Sequence, residues 1–167
     1  MNNYVCRIGT LEDINNDFDY EIERAVDDKD NWIKWKEEAI KRFNNGTAIT
    51  YVGELNGEVI SQAVATLDPN AVNNSENLVD DKTAYLQAFR TKEEYQGKGY
   101  FSILFKYMIE DLKSRGYERV TLGVEPQEEK NKTIYTKYGF TDFIKTAPDY
   151  YPDGTTIDVE YYGKSLK

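Results

Sequence analysis

Apolar residues recur every three or four positions in the first part of the chain, which is the spacing of one helix face. This pattern predicts an amphipathic helix over 11–27, with Thr10 as its N-cap and Asp13 as the partner in a capping box. After a polar break, the same spacing predicts a second helix that ends at Gly46. The apolar positions are Leu11, Ile14, Phe18, Ile22 and Val26 in the first helix and Trp32, Trp35, Ala39, Ile40 and Phe43 in the second.

Short runs rich in β-branched and apolar residues predict strands. Two of these strands are joined by the pair Asn56-Gly57, which is a strong signal for a tight hairpin. The polar stretch 68–82 is expected to form a mobile, solvated loop, and 146–157 is expected to form a second long loop. The predicted strands are residues 4–8, 47–55, 58–67, 84–91, 119–124, 140–145 and 158–165.

A third amphipathic helix is predicted over 100–115, between the strands at 84–91 and 119–124, and a short fourth helix over 131–138. A strand–helix–strand unit of this length is expected to be parallel and right-handed. The order of elements therefore predicts an α+β fold with a mixed sheet, in one domain that covers 1–167.

Composition limits where such a protein would work. The apolar runs are too short to span a bilayer, and Met1-Asn2-Asn3 opens no signal peptide. The single cysteine, Cys6, leaves no internal disulfide and fits a reducing compartment. We therefore expect a cytoplasmic protein with no membrane partner.

Charge and the lack of histidine exclude several function classes. A net charge of −9 and a pI near 4.7 do not suit a protein that binds nucleic acid, but they are compatible with a cationic small molecule as substrate. The absence of histidine removes Ser-His-Asp and Cys-His catalysis. With one cysteine and no histidine, we expect no metal site.

A glycine-rich turn, residues 96–99 (Gln-Gly-Lys-Gly), lies between the strand 84–91 and the helix 100–115. Such a turn holds an anion well, because free backbone N–H groups and the positive end of the helix dipole point the same way. It is not a Walker A loop, since the spacing and the Lys-Ser/Thr ending are absent. A dinucleotide site fits poorly, because Ser102 stands where that fingerprint has its third glycine.

The turn resembles that of the GNAT superfamily of acyl-CoA-dependent N-acetyltransferases. In that family, an Arg/Gln-Gly-x-Gly-x-Gly/Ala turn between a strand and a helix binds the CoA pyrophosphate. Residues 96–99 match this pattern, and Phe101 replaces the final Gly or Ala.

A second block, Ile134-Tyr135 followed by Tyr138-Gly139-Phe140, resembles the Leu-Tyr-x-x-x-Gly-Phe signature of the same family. Glu128 and Asn131 stand where the family has Asn and Ala. The order of elements agrees over nearly the full chain. The resemblance implies a central, mostly antiparallel mixed sheet with one parallel strand–helix–strand unit and helices on both faces.

The resemblance also implies acetyl-CoA as the cosubstrate. The strands at 84–91 and 119–124 would splay to admit pantetheine, whose amides would meet strand backbone, and the N–H groups of 96–101 would hold the pyrophosphate. The implied cofactor-binding residues are Phe89, Arg90, Thr91, Gln96, Gly97, Lys98, Gly99, Tyr100 and Phe101.

Two residues are candidates for the chemistry. Tyr135 would protonate the departing thiolate. Because a phenol pKa of about 10 exceeds a thiol pKa of about 8.5, the phenol is not a strong acid towards the thiolate, and a hydrogen bond to the thiolate is the alternative role. Glu125, just past a strand end, is the first candidate for the base that deprotonates the amine. Structural alternatives stay open for both, namely a packed aromatic residue and a solvated acid.

The resemblance therefore implies an enzyme that acetylates a primary amine of a small molecule or of a protein N-terminus. The competing interpretation is a non-catalytic acyl-CoA-binding domain, and a dinucleotide-dependent oxidoreductase is a weaker third. The Tyr-rich segment 159–163 is a candidate strand for pairing across a homodimer.

Overall fold

The computed structural model describes residues 3–167, and the prediction that Met1 and Asn2 open no signal peptide lies outside them. Within this range, short 3₁₀ turns at Pro69–Ala71 and Glu93–Tyr95 accompany the longer elements. The strands are β1 (Tyr4–Ile8), β2 (Ala48–Leu55), β3 (Glu58–Thr66), β4 (Thr83–Thr91), β5 (Arg119–Val124), β6 (Asp142–Tyr150) and β7 (Thr156–Ser165). The helices are α1 (Leu11–Arg24), α2 (Lys29–Asn45), α3 (Tyr100–Ser114) and α4 (Glu129–Lys137).

The strands form one mixed sheet in the order β1-β2-β3-β4-β5-β7-β6. Every neighbouring pair is antiparallel except β4 and β5, which α3 connects as a parallel pair. On one sheet face, α3 covers a core that includes Leu104, Met108 and Leu112. On the opposite face lie α1 and α2. The predicted fold class is confirmed.

Local signals placed most helix ends correctly. The Thr10–Asp13 capping box is present, and the hairpin at Asn56-Gly57 has positive φ at both residues. The end of α1 was predicted wrongly, since the helix stops at Arg24 and Val26 is 87% exposed. Two aspartates follow there, and negative charge is unfavourable at the negative end of a helix dipole.

The segment 68–82 is not the solvated loop expected from its polarity. Leu78 is fully buried and Val79 nearly so, and both join a small second core beneath β7. The Arg119 side chain donates to the Asn77 carbonyl, and the Thr121 hydroxyl donates to the Leu78 carbonyl at 2.7 Å. Two apolar residues in a polar stretch are enough to anchor it, because the surrounding backbone groups find partners on the sheet.

The predicted long loop at 146–157 is mostly strand. β6 continues to Tyr150 and β7 begins at Thr156, so the turn between them spans only 151–155. Pro148 obscured the pattern, but β6 is an edge strand, where a missing N–H donor is tolerated.

The placement of β7 also decides one prediction about assembly. β7 lies between β5 and β6, so both of its edges are already paired. The expectation that segment 159–163 pairs across a homodimer is therefore wrong.

Among residues 3–167, no helix has the length and apolar character needed to cross a bilayer.

Candidate active site

The parallel strands β4 and β5 are hydrogen-bonded to each other over only part of their length. Their pairing ends at Tyr85 and Thr121, although β4 continues to Thr91. Beyond this point β4 carries a bulge at Ala88, whose φ of 58° lies in the left-handed region. A non-glycine residue there costs about 1 kcal/mol or more, so the surrounding packing must hold it. The result is the splay that was expected between the two strands.

The glycine turn lies at the mouth of this splay. Gly97 and Gly99 have φ of 74° and 88°, a conformation that glycine adopts readily, and Gly99 is the N-cap of α3. Within the described residues, the backbone N–H groups from Gly97 to Ser102 have no backbone acceptor, and the next one, of Ile103, donates to Gly99. The Gln96 side chain donates to the Thr91 carbonyl at 2.9 Å and ties the turn to the end of β4. Six adjacent N–H groups thus remain free to bind an anion.

A cleft of about 540 Å³ runs from this turn between β4, α3 and α4. Phe89, Arg90 and Thr91 line it from the strand, and Tyr135 lines it from α4. Lys98 does not line the cleft; its ammonium lies 6.0 Å from the centre of the Tyr95 ring, on the exposed side of the turn. The lysines that do line the cleft are Lys130 and Lys137 of α4, which sequence reasoning did not single out.

Phe101, the departure from the family pattern, is half-buried; it packs against the main core and also lines the cleft. Its ring centre lies 5.0 Å from that of Phe89 and 6.2 Å from that of Tyr138. The ring therefore narrows the cleft, while the Phe101 N–H stays among the free donors of the turn.

Tyr135, the candidate acid, lies in the wall of the cleft. Its ring packs edge-on against Phe89 at 5.7 Å between centres, and its side chain lines the cleft. Burial, with the nearby Glu128 carboxylate and Tyr138, raises the pKa of Tyr135 to about 12. The phenol is therefore neutral across the physiological range and well suited to donate a hydrogen bond.

Glu125 follows the last residue of β5, on the side where the strands splay. Its carboxylate accepts a hydrogen bond from the Tyr151 hydroxyl at 3.0 Å. Hydrogen bonding with the Glu128 carboxyl, and then burial, raise the pKa of Glu125. Such a carboxylate is a better proton acceptor near neutral pH than a solvated one.

Glu128 connects the two candidates, because it raises the pKa of both Tyr135 and Glu125. Its own side chain is bonded by the Asn131 amide, so the two residues that depart from the family signature contact each other. Sequence reasoning registered both as mismatches and could not see that they form a pair beside the site.

Tyr151, whose hydroxyl donates the hydrogen bond to Glu125, lies in the turn between β6 and β7. Its ring packs edge-on against Trp35 of α2 at 5.5 Å. Two hydrogen bonds fasten the same turn to α2: the Asn31 amide donates to the Asp153 carboxylate at 3.0 Å, and the Asp153 N–H donates back at 3.1 Å. Asn31 is almost fully buried. No local pattern announces these contacts, because the partners lie more than 100 residues apart.

The Arg90 side chain belongs to the opposite face of the sheet. Its guanidinium pairs with Asp17 of α1 and lies 5.2 Å from the ring centres of both Phe18 and Trp32. Only its backbone is therefore placed to contact a ligand in the cleft.

Among residues 3–167, no group of three or more His, Cys, Asp or Glu side chains is arranged to hold a metal ion.

Comparison with known proteins adds a family to this geometry. Residues 10–140 match the model of the acetyltransferase (GNAT) family. No curated protein matches the sequence.

Several solved structures share the fold. A ribosomal-protein-S18-alanine N-acetyltransferase from Escherichia coli is 18% identical, with a TM-score of 0.66 over 98% of this chain and 94% of that one. A putative acetyltransferase from Salmonella typhimurium, solved with acetyl-CoA, is 19% identical, with a TM-score of 0.66 over 99% and 95%. A probable acetyltransferase from Staphylococcus epidermidis is 11% identical, with a TM-score of 0.72 over 98% and 99%. The family match covers most of the sequence, and the chain belongs to the acetyltransferase (GNAT) family.

Proposed function

We propose that this protein is an N-acetyltransferase that moves an acetyl group from acetyl-CoA to a primary amine, by direct attack while both substrates are bound. The observation that carries the proposal is the row of free N–H groups from Gly97 to Ser102 at the mouth of a cleft that contains Tyr135. On this proposal the whole chain, 1–167, works as one catalytic domain.

The residues fit acetyl-CoA. A pyrophosphate needs several convergent N–H donors, which Gly97 to Ser102 provide, and Lys130 and Lys137 add positive charge along the cleft. Beyond the splay, the backbone of Phe89, Arg90 and Thr91 has no strand partner on the β5 side, so it can bond the pantetheine amides as an added strand would. When bound, acetyl-CoA supplies the acetyl group as a thioester, which is open to attack by an amine.

In this proposal Glu125 takes the proton from the substrate ammonium, directly or through water, and leaves a neutral amine. Tyr151 and Glu128 set the position and the pKa of its carboxylate. The raised pKa of Glu125 brings its proton affinity closer to that of an amine bound in the site.

As the amine nitrogen bonds to the acetyl carbon, the C–S bond breaks, the nitrogen loses its second proton to solvent, and CoA leaves as the thiolate. Tyr135 acts on this leaving group by donating a hydrogen bond from its hydroxyl to the sulfur. With a pKa of about 12, the phenol is a weak acid towards a thiolate of pKa about 8.5, so its main contribution is a hydrogen bond to the developing negative charge. A backbone N–H near Phe89, just after the bulge in β4, would polarise the thioester carbonyl.

The proposal is tested by incubating the protein with acetyl-CoA and a panel of primary amines, and by measuring free CoA above the hydrolysis seen without amine. Amine-dependent release with a matching acetylated product is the expected result. Calorimetry with acetyl-CoA and with NAD, in parallel, checks which ligand the turn binds. If acetyl-CoA binds but no amine causes release of free CoA, the result would favour a non-catalytic acyl-CoA-binding domain over an enzyme.

A further inference from the structure

Two further cavities meet beneath α2, on the face of the sheet opposite the acetyl-CoA cleft. The second cavity, of about 260 Å³, lies between α1, α2 and the strands β2 to β4. The third cavity, of about 230 Å³, lies between α2, β4 and the turn that joins β6 and β7. The two cavities adjoin, because four residues line both of them: Trp35, Glu38 and Arg42 of α2 and Gln87 of β4.

Arg42 is the cation at this junction. Trp35, Glu38 and Arg42 follow one another at helical spacing, so they share the face of α2 that lines the cavities. The Arg42 side chain is only 26% exposed. The Glu38 carboxylate lies 3.7 Å from its guanidinium, which is beyond hydrogen-bond distance. Among residues 3–167, the Arg42 guanidinium therefore forms a loose ion pair and donates no hydrogen bond.

The other arginines of the chain have acceptors for their side chains. A guanidinium carries five N–H donors, and it is costly to hold it away from water without acceptors. Arg42 thus differs from every other arginine in keeping its donors free. Each of the others donates at least one side-chain hydrogen bond, namely Arg7, Arg24, Arg90, Arg115 and Arg119.

The Arg42 guanidinium is also open to a ligand. In the described part of the chain, the side-chain polar atoms that are both sealed from solvent and unpaired are Tyr4 Oη, Gln62 Oε1 and Arg90 Nε. The Arg42 nitrogens are not among these atoms, so they keep accessible surface. A ligand in the adjoining cavities can therefore reach them.

The surrounding charges favour a ligand group with one negative charge. A guanidinium matches the planar fork of a carboxylate, with two parallel N–H···O bonds. Arg90, the other cation that lines the second cavity, is already paired with Asp17. Glu38 and Asp149 line the third cavity and would repel a phosphate dianion more strongly than a carboxylate.

The third cavity also connects Arg42 with the proposed base. Tyr151 lines this cavity, and its hydroxyl donates to the Glu125 carboxylate at 3.0 Å. A molecule whose carboxylate binds Arg42 can therefore direct its amine towards Tyr151 and Glu125.

We propose that the acceptor is a primary amine that also carries a carboxylate, which makes it an amino acid in the wide sense. Its carboxylate accepts hydrogen bonds from the Arg42 guanidinium, and its amine lies on the side of Tyr151 and Glu125. Such an acceptor is zwitterionic rather than strongly cationic. This inference rests on the proposed function and names its substrate class, with Arg42 as the residue that determines specificity.

The first experiment measures binding without turnover. Calorimetry with CoA present compares L-phenylalanine with 2-phenylethylamine, and 6-aminohexanoate with pentylamine; in each pair the amine lacks only the carboxylate. The second pair places the two charged groups further apart. In at least one pair, we expect the amino acid to bind at least about tenfold more tightly, because hydrogen bonds between charged groups are strong. A preference of less than about threefold in both pairs overturns the proposal.

A first variant locates the carboxylate. Arg42→Gln removes the guanidinium, so the preference for the amino acid should fall to about twofold or less. Lys41→Gln removes the same charge from an exposed position at the same helix end, and it is the matched control that should leave the preference unchanged. CoA affinity should stay the same in both variants. A preference that survives in Arg42→Gln contradicts the proposal.

Glu38→Gln gives a test of the opposite sign. The Glu38 carboxylate competes with the acceptor for the guanidinium, so its removal should raise the preference for the amino acid by about two- to threefold. A purely structural ion pair predicts that both variants move the preference in the same direction or not at all, and this result would contradict the proposal. Glu38 is exposed, so this variant stays informative if circular dichroism shows that Arg42→Gln does not fold.

Binding and transfer together separate this inference from the proposed function. Amino acid binding that depends on Arg42, without acetyl transfer, would defeat the proposed function and leave the Arg42 site assigned. Acetyl transfer to amines with no preference for a carboxylate would support the proposed function and defeat this inference.

Discussion

The two cavities on either face of β4 are built by different means. The cleft that we assign to acetyl-CoA takes its main donors from the backbone of one contiguous segment, 97–102. The positive φ of its glycines and the start of a helix leave the N–H groups there free. The second cavity, of about 260 Å³ between α1, α2 and the strands β2 to β4, takes its groups from side chains that meet only in the folded protein. A backbone site can keep its ligand while neighbouring side chains vary, whereas a side-chain site changes specificity with single substitutions.

The most damaging substitution on the cleft side should be Tyr135→Phe. It keeps the ring packing against Phe89 but removes the donor to the leaving sulfur, so kcat should fall by about 100-fold or more. Steady-state kinetics with the best amine measures this, and the KM for acetyl-CoA should change little. Tyr138→Phe is the control, since that hydroxyl is bonded to Ser102 and is not assigned to the chemistry; equal losses in both variants would refute the assignment.

The second substitution tests whether the cleft depends on backbone conformation. Gly97→Ala places a Cβ on a residue with φ of 74°, although no other atom would touch it. The strain of about 1–2 kcal/mol should disturb the turn and raise the KM for acetyl-CoA by roughly 5- to 30-fold. Lys98→Ala, one residue on, should stay within about twofold, because its side chain lies outside the cleft. The reverse order of effects would mean that a side chain, not the backbone, holds the anion.

The third substitution acts on the other face of β4. Asn31→Ala removes both hydrogen bonds to Asp153 and frees the turn that carries Tyr151, so the KM for the amine should rise about fivefold. The melting temperature should also fall by a few degrees, since a buried pair is lost. Asn73→Ala, which breaks an exposed bond to Asp149, should leave the KM unchanged. A rise in the KM for acetyl-CoA instead would show that the two sites are not separable.

The smallest effect is expected from Glu128→Gln, and it appears mainly in the pH profile. The base form of Glu125 is lost as pH falls through its raised pKa, so kcat/KM declines on the acid side. Replacing the Glu128 carboxyl removes the first cause of that rise and lowers the pKa of Glu125. The acid limb should therefore move to lower pH, with a change of less than about threefold at neutral pH. An unmoved limb would indicate that Glu125 is not the base.

The predictable parts of the molecule are those whose signals are local. The bounds of β5 agree with the prediction, and the start of α3 and the hairpin at Asn56-Gly57 follow from caps, glycines and periodicity. The cleft follows the same rule, because its glycines adjoin the helix that they start.

The parts that resisted prediction depend on distant partners. The hydrogen bonds between Asn31 and Asp153 join residues separated by 122 positions. The contact between Tyr151 and Glu125 needs β6 and β7 to extend beyond their apparent ends. Leu78 looked like part of a solvated loop until β7 supplied the surface that buries it. Tertiary packing decided each of these, and no short stretch of sequence records it.

The bulge at Ala88 has a consequence for which side chain faces which substrate. Side chains alternate along a regular strand, so residues 87 and 89 would share a face. Here Gln87 and Arg90 both line the second cavity, beneath α1 and α2, and Phe89 faces α3 with Leu86. The inserted residue therefore reverses the phase of alternation in the last part of β4. Deleting residue 88 would remove the bulge and leave both side chains on their present faces. A regular strand that kept residue 88 would instead turn the Arg90 guanidinium into the aromatic cleft and the Phe89 ring towards Asp17.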